Sequence, residues 1–239
     1  MAIFTMSDLH LSLDTDKSME VFGPRWDDYI NRIRDNWSEV VSDGDTVLVG
    51  GDISWEMHLK DCVKDFAFIE SLPGKKILFK GNHDYWWESM TKLGNFAQAN
   101  GFHTISFSHN KAFICEDMLI SGTRLWNLPG DGGFGEDDAA VYKRELIRLE
   151  LSLEEGTKLC KESGFAPRKI VCVLHYPPFT RSHTFDSETL DIMKRFGVTD
   201  CVYGHLHSYL PGTMPDEVYE GISFRLVSAD YLKFSPVKL

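Results

Sequence analysis

Five short apolar runs in this chain stop at the same kind of place. "AIFTM" leads into Asp8 and His10, "TVLVGG" into Asp52, and "KILFKG" into Asn82, His83 and Asp84. "KIVCVL" leads into His175, and "DCVYG" into His205 and His207. Each run is too short for a helix and reads as a buried strand. Amphipathic stretches separate the first three. Trp26, Ile30, Ile33, Trp37 and Val41 recur at helical spacing, with Pro24 at a first-turn position. Helices are also expected over 57–71 and 85–99. This βαβα order predicts an α/β fold with parallel strands. Ligands of such sheets bind beyond the carboxyl ends of the strands, which is where these polar residues fall.

The middle of the chain changes character. "HTISF", "KAFICE" and "MLISGTRLW" predict consecutive short strands in a mostly antiparallel patch. A Gly/Asp-rich loop, "NLPGDGGFGEDD", follows. Tyr142, Leu146, Leu149 and Leu153 then share one helical face, so a helix is expected over 139–162. Another is expected over 188–196, and "ISFRLVS" and "YLKFSPV" should finish the chain as strands. The fold expected is α/β, with two mixed β-sheets packed as a sandwich and flanked by helices. One continuous domain over 1–239 is the simplest organisation, since no repeat or Gly/Ser linker interrupts it.

The residue types at the strand ends carry chemistry. Carboxylate, neutral imidazole and amide oxygen together suit zinc, manganese or iron. A Ca²⁺ or Mg²⁺ site would favour oxygens over four histidines. Seven ligands are too many for one tetrahedral ion, and fit two ions about 3.5–4 Å apart with one carboxylate shared. Singly, each residue has a plainer reading. Asp8 or Asp52 alone is a turn former, and His175 alone is a packed histidine. "GHLH" as a strand would put two imidazoles on one face. Their coincidence at five strand ends is what points to metal. His58, His103, His109 and His183 lie outside the set and are expected in packing or at the surface.

The net charge of −11 disfavours general binding to nucleic acid. It leaves room for a small phosphorylated substrate held by local cations. Five cysteines without a CxxC pair read as reduced thiols of a cytoplasmic protein. No apolar run suggests a signal peptide or a membrane span.

"DLH", "GGD", "GNHD", the His of "VLHYPP" and "GHLH", in that order from Asp8 to His207, resemble the signature of the calcineurin-like metallophosphoesterases. The resemblance implies a double β-sandwich flanked by helices. It implies that Asp8, His10 and His207 hold one metal, that Asn82, His175 and His205 hold a second, and that Asp52 bridges them. His83 would be the catalytic side chain, facing the phosphate. Asp84 would cap a helix or orient a neighbour. The implied chemistry is hydrolysis of a phosphomonoester or phosphodiester by a hydroxide bridging two Mn, Fe or Zn ions. Arg124 and Arg181 are candidates to bind a substrate phosphate.

The sequence departs from some branches of that superfamily. Its Ser/Thr phosphatases carry GDxxDRG, whereas "GDISWE" puts Trp55 and Glu56 at the Asp and Arg positions. Pyrophosphohydrolases of nucleotide-linked lipids typically carry Arg where His83 stands. The reading is a small phosphohydrolase, expected to cleave artificial diesters, with a non-catalytic metal-binding scaffold of the same fold or a nucleotide-lipid pyrophosphohydrolase as alternatives.

Overall fold

A computed structural model of the chain describes residues 1–15, 17–214 and 216–239. Eleven strands form two sheets among these residues. The first contains β1 (Ile3–Met6), β2 (Thr46–Val49), β3 (Lys75–Leu78), β4 (Ile105–Phe107) and β11 (Val237–Lys238). Its order is β11-β1-β2-β3-β4, parallel throughout except for β11 at the edge. The second contains β5 (Phe113–Cys115), β6 (Met118–Thr123), β7 (Lys169–Leu174), β8 (Asp200–Tyr203), β9 (Glu217–Tyr219) and β10 (Ile222–Leu226). Its order is β5-β6-β7-β8-β10-β9.

The strands are apolar on both faces because both faces are covered. In β2, Leu48 points into the space between the sheets while Val47 and Val49 face the helix side. In β7, Val171 and Val173 point between the sheets while Cys172 and Leu174 face outward. This two-residue alternation stacks Ile3, Leu48 and Ile77 against Ile120, Val171 and Val202. Each such aliphatic side chain contributes about 2 kcal/mol when fully buried.

The helices cover the outer faces. α1 (Tyr29–Val40), α2 (Val63–Ser71) and α3 (Met90–Asn100) bring Ile33, Trp37, Phe66 and Leu93 onto the first sheet's side. α4 (Glu136–Ser163) and α5 (Ser187–Arg195) bring Leu146, Leu149, Leu153, Leu190 and Met193 onto the second. The expected face of α4 is the buried one, and the helix stops at Gly164, whose φ of 68° suits a left-handed cap. Three starts differ from expectation. Pro24 opens a separate 3₁₀ turn, and Asp28 at φ 52° divides it from α1. Another 3₁₀ turn at Leu59–Asp61 precedes α2. α3 begins only after Ser89, whose hydroxyl accepts the Lys92 N–H.

Strand pairing in the middle is not the antiparallel patch predicted. β4 extends the first sheet in parallel, and β6 pairs in parallel with β7. Antiparallel pairing is confined to the edges β5, β9 and β11. Local hairpin signals around 103–126 are strong, but the long crossovers decide the direction of a strand in a βα chain. The expected final strand is also shorter: residues 231–235 turn back on themselves and only Val237–Lys238 pair.

Candidate metal centre

All five polar clusters emerge at the carboxyl ends of β1, β2, β3, β7 and β8. The backbone there leaves the strand conformation abruptly. Asp8, His10, Asp52 and His205 have φ of 62°, 45°, 51° and 68°. Positive φ is uncommon outside glycine, though Asp, Asn and His tolerate it best. These turns are held by neighbours: the Asp8 N–H donates to the Gly51 carbonyl at 2.8 Å and the His10 N–H to the Asp52 carbonyl at 2.9 Å. Glycine is required at two close approaches. A Cβ on Gly81 would lie 2.1 Å from Asp52 Oδ1, and one on Gly204 would lie 2.4 Å from Asp8 Oδ2.

The side chains form two groups. In one, ligand atoms of Asp8, His10 and His207 lie within 4.8 Å of one another. In the other, Asp52, His175 and His205 do the same. Asn82 joins the second group: its Oδ1 lies 2.7 Å from His175 Nε2 and 2.9 Å from His205 Nδ1. Asp52 Oδ2 lies 3.4 Å from His175 Nε2 and 3.7 Å from His10 Nε2, so one carboxylate oxygen faces both groups. In the first group His10 Nε2 and His207 Nε2 face each other at 3.2 Å. Converging imidazole nitrogens, carboxylate oxygens and an amide oxygen fit zinc, manganese or iron. All seven expected ligands are thus brought together. "GHLH" does not act as a strand face. It lies beyond β8, and its two histidines enter different groups.

Burial disfavours the charged form of every imidazole here. It prevails at His10, lowered to about 4, and at His205, lowered to about 3. At His175, burial is outweighed by Asp52, which lifts the ring to about 9. At His207, burial is outweighed by Asp230 and Asp8, which lift it to about 10. Burial would raise the Asp8 and Asp52 carboxyls. Yet His207 holds Asp8 far below the usual carboxylate range, and His175 holds Asp52 down to about 2.

A second layer orients these ligands. The Gly50 carbonyl lies 3.0 Å from His175 Nδ1, which leaves Nε2 for the centre. Asp230 Oδ1 lies 2.9 Å from His207 Nδ1, while its Oδ2 accepts the Ser208 N–H and the Arg25 guanidinium. Neither Asp230 nor Arg25 was among the sequence candidates. A signal existed: Asp230 follows "FRLVSA", one more apolar run ending in a carboxylate. Asp84 orients neighbours rather than capping a helix. Fully buried, it accepts N–H groups from Asp52, Ile53, Gly81 and the Trp86 indole at 2.7–3.1 Å.

His83 lines the cleft above the ligands. Its N–H donates to Asp52 Oδ1 at 2.8 Å, and its ring packs 4.6 Å from the Trp55 ring, which also stacks on His10 at 4.9 Å. That cleft, of about 280 Å³, is walled by Trp26, Trp55, His83 and His207. A second pocket of about 300 Å³ opens on the far side of His205 and is lined by Trp126, Tyr176, Phe179, Thr180 and Tyr209. Arg181 lies on its rim, its N–H bonded to Asp131. Arg124 is elsewhere: it pairs with Glu145 at 3.2 Å and stacks on Trp126. Among the described residues no helix is long and apolar enough to cross a membrane.

A family model described as calcineurin-like phosphoesterase matches residues 1–209. No curated protein matches the chain in sequence. Among solved structures, a protein of unknown function from Aquifex aeolicus matches with a TM-score of 0.51 and 16% identity, over 99% of this chain and 95% of its own. A phosphopantetheinyl hydrolase from Mycobacterium tuberculosis matches with 0.51 and 14%, over 100% and 95%. The protein TT1561 of Thermus thermophilus matches with 0.54 and 12%, over 99% and 97%. At these identities the likeness is one of fold.

Proposed function

The chain belongs to the calcineurin-like phosphoesterase family, and on that premise we propose that it hydrolyses small phosphoesters with two transition-metal ions, one in each ligand group. The observation that carries this reading is Asp52, whose single oxygen faces His10 of one group and His175 of the other. With both cations bound, the centre would polarise the phosphoryl oxygens and activate a water for in-line attack.

The protein's own groups would do the rest. Asp8 and Asp52 neutralise the cations. Gly50 and Asp230 fix the tautomers of His175 and His207, so that each turns its other nitrogen inward. His83 donates to a phosphoryl oxygen and delivers a proton to the leaving oxygen. Trp26 and Trp55 keep bulk water from one flank of the cleft. The aromatic pocket beyond His205 takes the organic substituent of the ester.

The test begins with protein purified without added metal. Bound metal is measured by elemental analysis, and the same sample is assayed with Mn²⁺ against bis-p-nitrophenyl phosphate and p-nitrophenyl phosphate. Two metals per chain with turnover are expected, and the ratio of the two rates assigns diester or monoester preference. Since one fold relative is a phosphopantetheinyl hydrolase, phosphopantetheinyl esters belong in the wider panel. Two metals without turnover on any ester would favour a scaffold. No metal even after Mn²⁺ addition overturns the reading.

A further inference from the structure

Beside the metal centre, on the β4 side, lies a separate cavity of about 20 Å³. Lys80 reaches it from the end of β3, Ser108, His109 and Asn110 from the end of β4, and Arg124 from the end of β6. Arg148 and Glu145 close it from α4. Its charge does not balance. Glu145 is the carboxylate in its wall, and both its oxygens are engaged: Oε1 accepts from Arg124 at 3.2 Å and from Arg148 at 2.6 Å, and Oε2 accepts from Thr123 at 2.7 Å. Asp84, the other nearby carboxylate, is occupied by its four N–H donors. Three fixed cations thus face one engaged carboxylate, inside a chain of net charge −11.

The cavity is also short of acceptors. Among the described residues, two donors, Ser108 Oγ and Arg124 Nε, and one acceptor as placed, Asn110 Oδ1, are buried without a hydrogen-bond partner. Ser108 is only 5% exposed. The Asn110 amide can be turned so that its NH₂ faces inward. Neither Lys80 Nζ nor the His109 ring makes a side-chain hydrogen bond or an ion pair within 4.0 Å among the described residues. An unpaired ammonium and unpaired donors in a confined space are costly unless a counter-charge is present. A water would satisfy a donor but leave the charge.

We propose that Lys80, Ser108, Arg124 and Arg148 form a second site, distinct from the metal centre, that holds one small inorganic anion. The volume suits a single occupant a little larger than one water. The anion accepts from the Lys80 ammonium, the Ser108 hydroxyl and Arg124 Nε–H. Through Lys80 it steadies the Gly81–Asn82 turn. The inference does not rest on the proposed hydrolysis, and requires no metal.

Two measurements test it on the full chain. Crystals are soaked separately in bromide and in selenate, and anomalous density is sought in the cavity. In solution, the melting temperature is followed against millimolar chloride and sulfate at constant ionic strength, for the wild type, Ser108→Ala and Arg148→Gln. The expected result is an anomalous peak within hydrogen-bond distance of Lys80 Nζ and Ser108 Oγ. The same class of anion should raise the melting temperature, at a midpoint concentration several-fold higher in both variants. Bromide alone assigns a halide site and selenate alone an oxyanion site. An empty cavity in both soaks overturns the proposal. So does density without any millimolar effect on melting, which would be an adventitious ion only. If Ser108→Ala melts and responds to anions just as the wild type does, the hydroxyl faces no ligand and the proposal fails.

Discussion

The two ligand groups look alike in number but differ in charge. The group of Asp8, His10 and His207 has a carboxylate of its own, and a second carboxylate, Asp230, stands behind His207. The group of Asn82, His175 and His205 has a neutral amide in the corresponding place, and a neutral carbonyl, Gly50, stands behind His175. Asp52 is common to both. The first group should therefore favour the more highly charged or harder ion, and the second a divalent one. The lesson is that a shared bridge does not make two sites equal, because the outer partners set the charge each site can neutralise.

The largest effect is expected where the comparison collapses. Asp52→Asn removes the oxygen that faces both groups, so both metals and at least about 10²-fold of activity should be lost together. Elemental analysis alongside turnover checks this, and full metal with full activity would refute the bridge. His83→Ala should touch neither group. It should retain two metals while turnover falls about 10²–10⁴-fold. Wild-type turnover in this variant would remove His83 from the chemistry.

Asp230→Asn sharpens the contrast most directly. It should weaken metal in the first group by about 10–100-fold and leave the second intact. Competition with a chelator would reveal one weakened ion per chain. Equal weakening of both would mean that the groups are not independent. The smallest effect concerns pH. In the metal-free protein His175 and His207 are lifted to about 9 and about 10, above the usual value of 6.5, so both are protonated at neutral pH. A metal needs the neutral ring. Each group must therefore expel one proton, and apparent affinity should rise up to about tenfold per pH unit per group between about pH 7 and 9. His10 and His205, at about 4 and about 3, contribute nothing to that slope. Titration calorimetry in buffers of different ionisation enthalpy counts the protons, and a flat profile would break the electrostatic assignment.

Much of this arrangement was legible in the sequence because each candidate ligand lies just past a strand end. Asp8, Asp52, Asn82 and His175 are local statements about where an apolar run stops. Asp230 was not legible because it acts through another side chain, 23 residues from His207. The role of Asp84 was only half legible. Its Gly81 and Trp86 donors are near neighbours in the chain, but the Asp52 and Ile53 N–H groups belong to a segment that only sheet pairing brings to it. Strand direction in the middle failed for a related reason. The apolar runs in "HTISF" and "MLISGTRLW" mark strands, but the choice of partner is made by β3 and β7, far along the chain.

The left-handed backbone at Asp8, His10, Asp52 and His205 has a practical corollary for anyone handling the protein. Such conformations cost on the order of 1 kcal/mol each in a residue with a side chain. In the metal-free chain the counter-charges to Asp8 and Asp52 are the protonated His207 and His175 rings, whereas bound cations would add binding free energy available only to the folded chain. Demetallated preparations should therefore be the ones that lose shelf life, precipitate on warming and yield poorly from metal-starved cultures. Chelators in a lysis buffer would then act on solubility before they act on any assay.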